Sequence, residues 1–179
     1  MNLTIDRVVE FAGGVELSMD GYVPIDIKFV DPNGAPPLYW RAGDGRKSLL
    51  EVAVLPGSGL LSAITLVIAD IESTHEVSNC RPDLSCQVSG FPVICLDLWV
   101  GSSGGDFSQR FLDNFNCEVQ IFLSEGAILL DINKLGNQAV KWVRCGGGVY
   151  LGLNNERNIT HLFLDELTAE DISNFTRSI

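Results

Sequence analysis

Cysteine and histidine side chains are the candidates for nucleophilic chemistry in this chain. Cys145 or Cys80 could attack a substrate with His161 or His75 as the base, because a thiol needs a nearby base to become a thiolate at neutral pH. Five cysteines and two histidines supply such pairs by chance, and no family-type sequence surrounds them. Since a free cysteine usually packs as a small hydrophobic residue, a small cysteine-dependent enzyme is only the alternative function.

Metal and phosphate sites are not indicated by the residue spacing. The chain has no Cys-x-x-Cys, no histidine pair at helical spacing and no calcium loop. Cys80 and Cys86 near His75 could bind zinc, but their spacing is wider than usual. The glycine run 146–152 fails as a phosphate loop because Leu151 stands where a small residue is needed and a strand follows. We therefore expect no cofactor and no metal.

Four carboxylates lie within seven residues near the C-terminus, at Asp165, Glu166, Glu170 and Asp171. One interpretation is helix capping on a solvated face, because acidic side chains stabilise the first turn of a helix. The other is an anionic contact for a basic partner. These four residues are the candidate partner-binding site.

The overall charge favours a basic protein partner. The formal net charge is −11, from 23 acidic and 12 basic side chains, with a pI near 4.4. Nucleic-acid binders hold phosphates with clustered lysine and arginine, so this balance argues against nucleic acid as a partner.

The sequence predicts a soluble, cytoplasmic protein that does not enter a membrane. Residues 1–6 have neither the basic nor the apolar region of a signal peptide. The longest apolar run, 60–69, is far shorter than the roughly 20 residues that a membrane helix needs. In a reducing cytoplasm the odd number of cysteines indicates free thiols.

Elements with strand periodicity must position these side chains. The central one is a hairpin over 48–70, which turns at Pro56–Gly59 because proline lacks an amide donor and glycine readily adopts positive φ. Its second arm, 60–69, is apolar at nearly every position, which predicts a central strand with both faces covered. A second hairpin is predicted over 117–132, with its turn at 124–126. Further strands are predicted over 3–11, 15–19, 23–30, 38–40, 91–100, 140–143, 149–153 and 159–164.

The chain ends in a predicted helix with Thr168 as its N-cap and Asp171 at the third helical position. A short helix near 106–115 is also possible. The fold class is therefore α+β, mainly antiparallel β-sheet with hairpins and one C-terminal helix. We expect a single domain over 1–179; the alternative is two sub-halves, 1–70 and 91–179, joined by a loop over 71–90.

The two halves show an internal similarity. The segment from Leu50 through the turn to Ile68 resembles the segment from Val149 to Leu164. Two related hairpins, one in each half, would form a pseudo-duplicated sheet. The alternative is that any two amphipathic hairpins look alike.

A small, acidic, cysteine-containing, sheet-rich chain without a catalytic signature resembles the immunity proteins of bacterial contact-dependent growth inhibition systems. The segment 162–172, Leu-Phe-Leu-Asp-Glu-Leu-Thr-Ala-Glu-Asp-Ile, contributes most to this resemblance. The resemblance implies a non-enzymatic protein that binds and blocks a basic toxin domain of the nuclease class in a one-to-one complex. It transfers no functional residue. A structural or assembly protein is a further alternative, and an exposed edge strand could also serve a homo-oligomer.

Overall fold

The computed structural model describes residues 3–10, 13–29, 36–99, 111–114, 117–132 and 139–179. These residues form fifteen strands, one α-helix and two 3₁₀ turns, the latter at Ile71–Ser73 and Leu96–Trp99. The other elements are β1 (Ile5–Val9), β2 (Glu16–Ser18), β3 (Ile25–Lys28), β4 (Leu38–Gly43), β5 (Leu49–Val54), β6 (Leu61–Ile68), β7 (Thr74–Glu76), β8 (Gln87–Ser89), β9 (Phe91–Ile94), β10 (Phe111–Asn114), β11 (Gln120–Ser124), β12 (Ala127–Asp131), β13 (Lys141–Gly146), β14 (Val149–Leu153), β15 (Ile159–Leu164) and α1 (Ala169–Ser178).

The strands form two large sheets and one two-stranded ribbon. The six-stranded sheet has the order β10-β4-β5-β6-β3-β2, the seven-stranded sheet has the order β7-β11-β12-β15-β14-β13-β8, and β1 pairs with β9. Neighbouring strands are antiparallel except for the pairs β10–β4, β7–β11 and β8–β13. The predicted α+β class, mainly antiparallel with a C-terminal helix, is confirmed.

The central hairpin is β5 and β6, and it turns where the Pro-Gly-Ser-Gly segment predicted. β6 lies between β5 and β3 and is therefore a central strand, as expected. Leu61, Ile64 and Leu66 of β6 are buried, but Thr65 and Val67 on its other face are only half-buried. The prediction that both faces of this strand are covered is therefore wrong for the outer face.

One hydrophobic core is shared by the inner faces of the two large sheets. Its fully buried members include Ile25 and Leu66 from the six-stranded sheet and Leu130 and Leu162 from the seven-stranded sheet. A second, smaller cluster lies on the outer face of the seven-stranded sheet and contains Cys80, Ala127, Trp142 and Phe163. The seven-stranded sheet thus carries apolar side chains on both faces.

Three local predictions need correction. The strand expected over 91–100 ends at Ile94, and Leu96–Trp99 form a 3₁₀ turn; residue 100 lies outside the described residues. The prediction of a short helix near 106–115 is wrong for Phe111–Asn114, because these residues form β10. Residues 106–110 and 115 lie outside the described residues. The strand is fixed by contacts to β4, because Phe111 stacks on Tyr39 at 5.3 Å and Arg41 forms a bidentate ion pair with Asp113. The loop over 71–90 contains a 3₁₀ turn and the short strands β7 and β8.

Helix α1 begins as the sequence predicts. The Asp171 amide donates to the Thr168 hydroxyl at 3.1 Å, and the Thr168 amide donates to the Asp171 carboxylate at 2.9 Å, which completes a capping box. Phe175 anchors the helix in the core with no exposed surface. Among the described residues, no helix combines the length and the apolar character that crossing a membrane requires.

Candidate functional site

The predicted pairing of Cys145 with His161 is excluded by the strand alternation. Cys145 packs with Val143 in the core between the sheets. His161 lies beside Trp142, whose ring centroid is 6.1 Å from its own, and Trp142 belongs to the cluster on the opposite face of the sheet. Burial raises the pKa of the Cys145 thiol to about 12. Cys145 is therefore a protonated core residue at neutral pH.

Cys80 and His75 are also not a nucleophile and its base. Cys80 is buried, and its Sγ lies 3.1 Å from the hydroxyl of Ser124. The exposed His75 instead places Nε2 2.8 Å from the side-chain oxygen of Gln120. Cys86 is exposed, and the described part of the chain has no group of three or more His, Cys, Asp or Glu side chains that could hold a metal. No described side-chain contact supports the zinc alternative.

His161 is held as a neutral, structural side chain. Its Nδ1 lies 2.9 Å from the Thr160 hydroxyl, and its Nε2 lies 3.8 Å from the Asp131 carboxylate. Burial lowers the pKa of His161, and the nearby negative charge of Asp131 opposes this shift without reversing it. The imidazole is therefore uncharged at neutral pH.

The four predicted carboxylates lie together at the junction of β15 and α1, but they do different work. Asp165 accepts from Nε of Arg81 at 3.1 Å, and Asp171 belongs to the capping box. Glu166, which has a positive φ of 60°, and Glu170 are exposed. Two of the four charges are therefore committed to local structure, and two face solvent.

A cleft of about 850 Å³ lies beside this junction, and we call it the α1 cleft. Its rim carries the carboxylates of Glu125 and Glu166 together with the guanidinium of Arg81. Leu167 and Ile172 give it an apolar side. The full lining is Ser78, Asn79, Arg81, Glu125, Gly126, Glu166, Leu167, Ala169 and Ile172.

Arg81 orders the rim of the α1 cleft. Besides its ion pair with Asp165, it donates from Nη2 to the backbone carbonyl of Glu125 at 3.1 Å. This guanidinium thus joins the β11–β12 turn to the end of β15. Arg81 therefore fixes the backbone of this turn and the Asp165 carboxylate next to the cleft.

A second acidic cleft, of about 390 Å³, lies where the β4–β5 turn meets the start of β11, and we call it the junction cleft. Its acidic residues are Asp44, Asp70, Glu72 and Glu118, and its one basic residue is Lys47.

The charges of the junction cleft are set by local contacts. Lys47 Nζ lies 2.6 Å from Glu72, and this ion pair raises the pKa of Lys47. Backbone amides of Arg46, Lys47 and Ser48 lower the pKa of Asp44 and keep it ionised. This site is not evident from the sequence, because its residues come from three separate segments, none of which is unusually acidic.

The comparisons with known proteins give one relative. Over 82 residues the chain is 34% identical to "Immunity protein CdiI-1" of Escherichia coli O157:H7 (strain EC869). The match covers 46% of this chain and 94% of that protein. No family model matches the chain.

Proposed function

Because the chain belongs to the family of the immunity protein CdiI-1, we propose that it neutralises a toxin by binding a basic toxin domain in the cytoplasm. The single observation that carries this proposal is the family relationship, which covers nearly the whole of the relative. The net charge of −11 supports a positively charged partner. The buried, protonated Cys145 supports a role without catalysis.

The partner that fits this charge best is a nuclease domain. A nuclease holds phosphates with basic side chains, and an acidic protein surface can occupy those side chains in their place. Binding then covers the toxin's substrate groove, so neutralisation needs no chemical step.

We place the toxin contact at the α1 cleft. The exposed carboxylate of Glu166 lines the cleft, and that of Glu170 is exposed on the first turn of α1 beside it, so both can meet basic side chains. The apolar side formed by Leu167 and Ile172 can accept an apolar anchor. A charged rim around an apolar centre is the usual anatomy of a protein interface. Asp171 adds negative potential from its fixed position in the capping box, whereas Arg81 offsets the charge of Asp165.

Exposed charges of this kind act mainly on the rate of association. Complementary potentials raise the on-rate and are screened by salt, with a Debye length of about 10 Å at 0.1 M. Each exposed carboxylate contributes about 0.5 kcal/mol at low salt. Removing Glu166 and Glu170 together should therefore slow association about fivefold, with less effect at high salt.

The test is the double variant Glu166→Gln and Glu170→Gln, titrated against the cognate toxin domain. A matched control is Glu10→Gln with Asp97→Asn, two exposed positions, which changes the net charge equally. Stopped-flow association at low and high salt should separate the two variants. Equal rates for both would remove the α1 cleft from the interface.

The junction cleft supplies the competing surface. The variant Glu72→Gln with Glu118→Gln should leave the association rate near that of the control. If it slows association instead, the toxin contact lies in the junction cleft and the proposed surface is wrong. If the unmodified chain forms no complex with the toxin and protects no cell, the proposed function itself is wrong.

A further inference from the structure

The two large sheets contain the same five-stranded arrangement. Strands β2 to β6, which we call unit 1, have the order β4-β5-β6-β3-β2, and strands β11 to β15, which we call unit 2, have the order β13-β14-β15-β12-β11. Adding nine to each strand number of unit 1 gives unit 2. All four neighbouring pairs are antiparallel in both units.

The turn before the last strand is also repeated in its hydrogen bonds. Each turn is closed by a residue with positive φ, which is Gly59 at 71° in unit 1 and Arg157 at 63° in unit 2. In both units, the amide of this residue donates to the carbonyl of the first residue of the turn. The amide of that first residue donates to the carbonyl of the residue just before the last strand. The bonds are Gly59 to Leu55 at 2.9 Å and Leu55 to Leu60 at 2.9 Å in unit 1, and Arg157 to Asn154 at 3.0 Å and Asn154 to Asn158 at 3.1 Å in unit 2.

β1 and β9, which lie ahead of units 1 and 2 in the chain and which we call the leading strands, each bind the opposite unit. β10 lies between β9 and unit 2 and pairs with β4 of unit 1. The amide of Ile5 in β1 donates to the carbonyl of Arg157 in unit 2 at 2.9 Å. The amide of Ile94 in β9 donates to the carbonyl of Gly59 in unit 1 at 2.7 Å. Ile5 and Ile94 are also direct partners in the β1–β9 ribbon. The two halves are thus related by a pseudo-twofold axis that passes near this isoleucine pair.

The length of the relative matches one unit rather than two. The aligned 82 residues are 46% of this chain but 94% of CdiI-1. A protein of that length has room for one five-stranded unit and one leading strand. In a separate chain, that leading strand would have no second unit within its own molecule to bind.

We propose that this chain is a covalently fused pair of copies of one unit, and that CdiI-1 builds the same arrangement as a homodimer by exchanging its leading strand. We call the contacts of β1 with unit 2 and of β9 with unit 1 the exchange surface. Its binding partner is thus a second copy of the unit. A closed twofold dimer is the commonest assembly of identical subunits, and the exchange of an identical element is an accessible route to it. The proposal concerns a different surface from the toxin contact and stands or falls independently of it.

The exchange surface is apolar and bonded through the main chain. Leu3, Ile5 and Ile94 are each 2% exposed. Besides the Ile5 bond, the Ile159 amide donates to the Leu3 carbonyl at 2.8 Å. Polar side chains add two bonds: the Arg157 guanidinium donates to the Asp6 carbonyl at 2.8 Å, and the Thr4 hydroxyl donates to the Asn158 side-chain oxygen at 2.6 Å. Because the described contacts across this surface are apolar packing and hydrogen bonds, we expect it to depend less on salt than the acidic toxin contact.

The first experiment measures mass by light scattering at low and at 0.5 M salt. This chain should have a mass of 19.5 kDa at every concentration, while CdiI-1 should have twice its own chain mass and separate into halves only on dilution. A monomeric, folded CdiI-1 at 100 μM would overturn the proposal, because its leading strand would then fold onto its own unit.

The second experiment uses the full chain and the two positions at the axis. Ile5→Ala and Ile94→Ala should each raise the unfolding equilibrium constant at least about thirtyfold, because both isoleucines are buried at equivalent places. Val140→Ala, at a position 47% exposed, is the control and should change it little. A large effect at one isoleucine and none at the other would contradict the pseudo-twofold exchange.

Discussion

Replacing Gly148 by alanine should destabilise the protein more than the same replacement at Gly45. The two glycines have nearly the same backbone conformation, with φ of 73° and 71°. An added Cβ at Gly45 has no atom within 4 Å, whereas at Gly148 it would lie 2.4 Å from the carbonyl oxygen of Asp165. The difference between the two variants therefore isolates the cost of this close approach.

The magnitude follows from what the added carbon displaces. Both variants lose about 1–2 kcal/mol because alanine disfavours positive φ. At Gly148 the carbon also pushes away the end of β15, whose Asp165 amide donates to the Gly148 carbonyl at 2.9 Å. Crowding costs about 1–3 kcal/mol and the weakened hydrogen bond about 1 kcal/mol. Gly148→Ala should thus lose about 2–4 kcal/mol more than Gly45→Ala.

Urea unfolding of both variants, followed by circular dichroism, measures this difference from the shift in the transition midpoint. The slope of the transition should remain unchanged. If the losses in unfolding free energy of the two variants agree within about 0.5 kcal/mol, the β13–β14 turn does not pack closely against Asp165.

Three further predictions concern groups described above. Because its pKa is near 12, Cys145 should resist iodoacetamide in the native protein at pH 8 while the exposed Cys86 reacts; rapid native labelling of Cys145, read by mass spectrometry, would refute its burial. Burial lowers the pKa of His161 in the folded protein, so its contribution to stability should be complete above the unfolded-state pKa of about 6.5 and lost as the pH falls through the lower folded-state pKa. His161→Gln should flatten this part of the plot of unfolding free energy against pH. An unchanged plot would contradict the neutral, buried state of His161. A double-mutant cycle with Arg41→Ala and Asp113→Ala should give a coupling of about 1 kcal/mol for this partly exposed bidentate pair, and a coupling of zero would show that β10 is not held by it.

Local patterns in the sequence predicted most of the hairpins and the C-terminal helix, because alternation, turn residues and caps act over a few residues. β10 was missed because its identity as a strand depends on Tyr39 and Arg41, some seventy positions earlier in the chain. The ribbon of β1 and β9 was missed for the same reason, since nothing near Ile5 indicates that Ile94 is its partner. Long-range pairing is a tertiary effect that local periodicity does not encode.

The candidate site was predicted in part. Asp165, Glu166, Glu170 and Asp171 do lie together, since they are close in sequence, but their division into committed and solvent-facing charges depends on Arg81 and on the capping box. The interpretation of Cys145 as a packed residue agrees with its burial. The junction cleft could not be found, because the fold alone brings its three segments to one place.

The binding of β1 to unit 2 affects how the protein folds during synthesis on the ribosome. β1 is synthesised well before Arg157, whose carbonyl accepts the Ile5 amide. Until Arg157 is available, the edge of β1 that faces unit 2 has unpaired backbone groups beside an apolar face, which are the features that promote pairing with another nascent chain. The acidic side chains distributed along both halves would repel such neighbours, so the same charge that suits a basic toxin would also protect the unfinished molecule from its own copies.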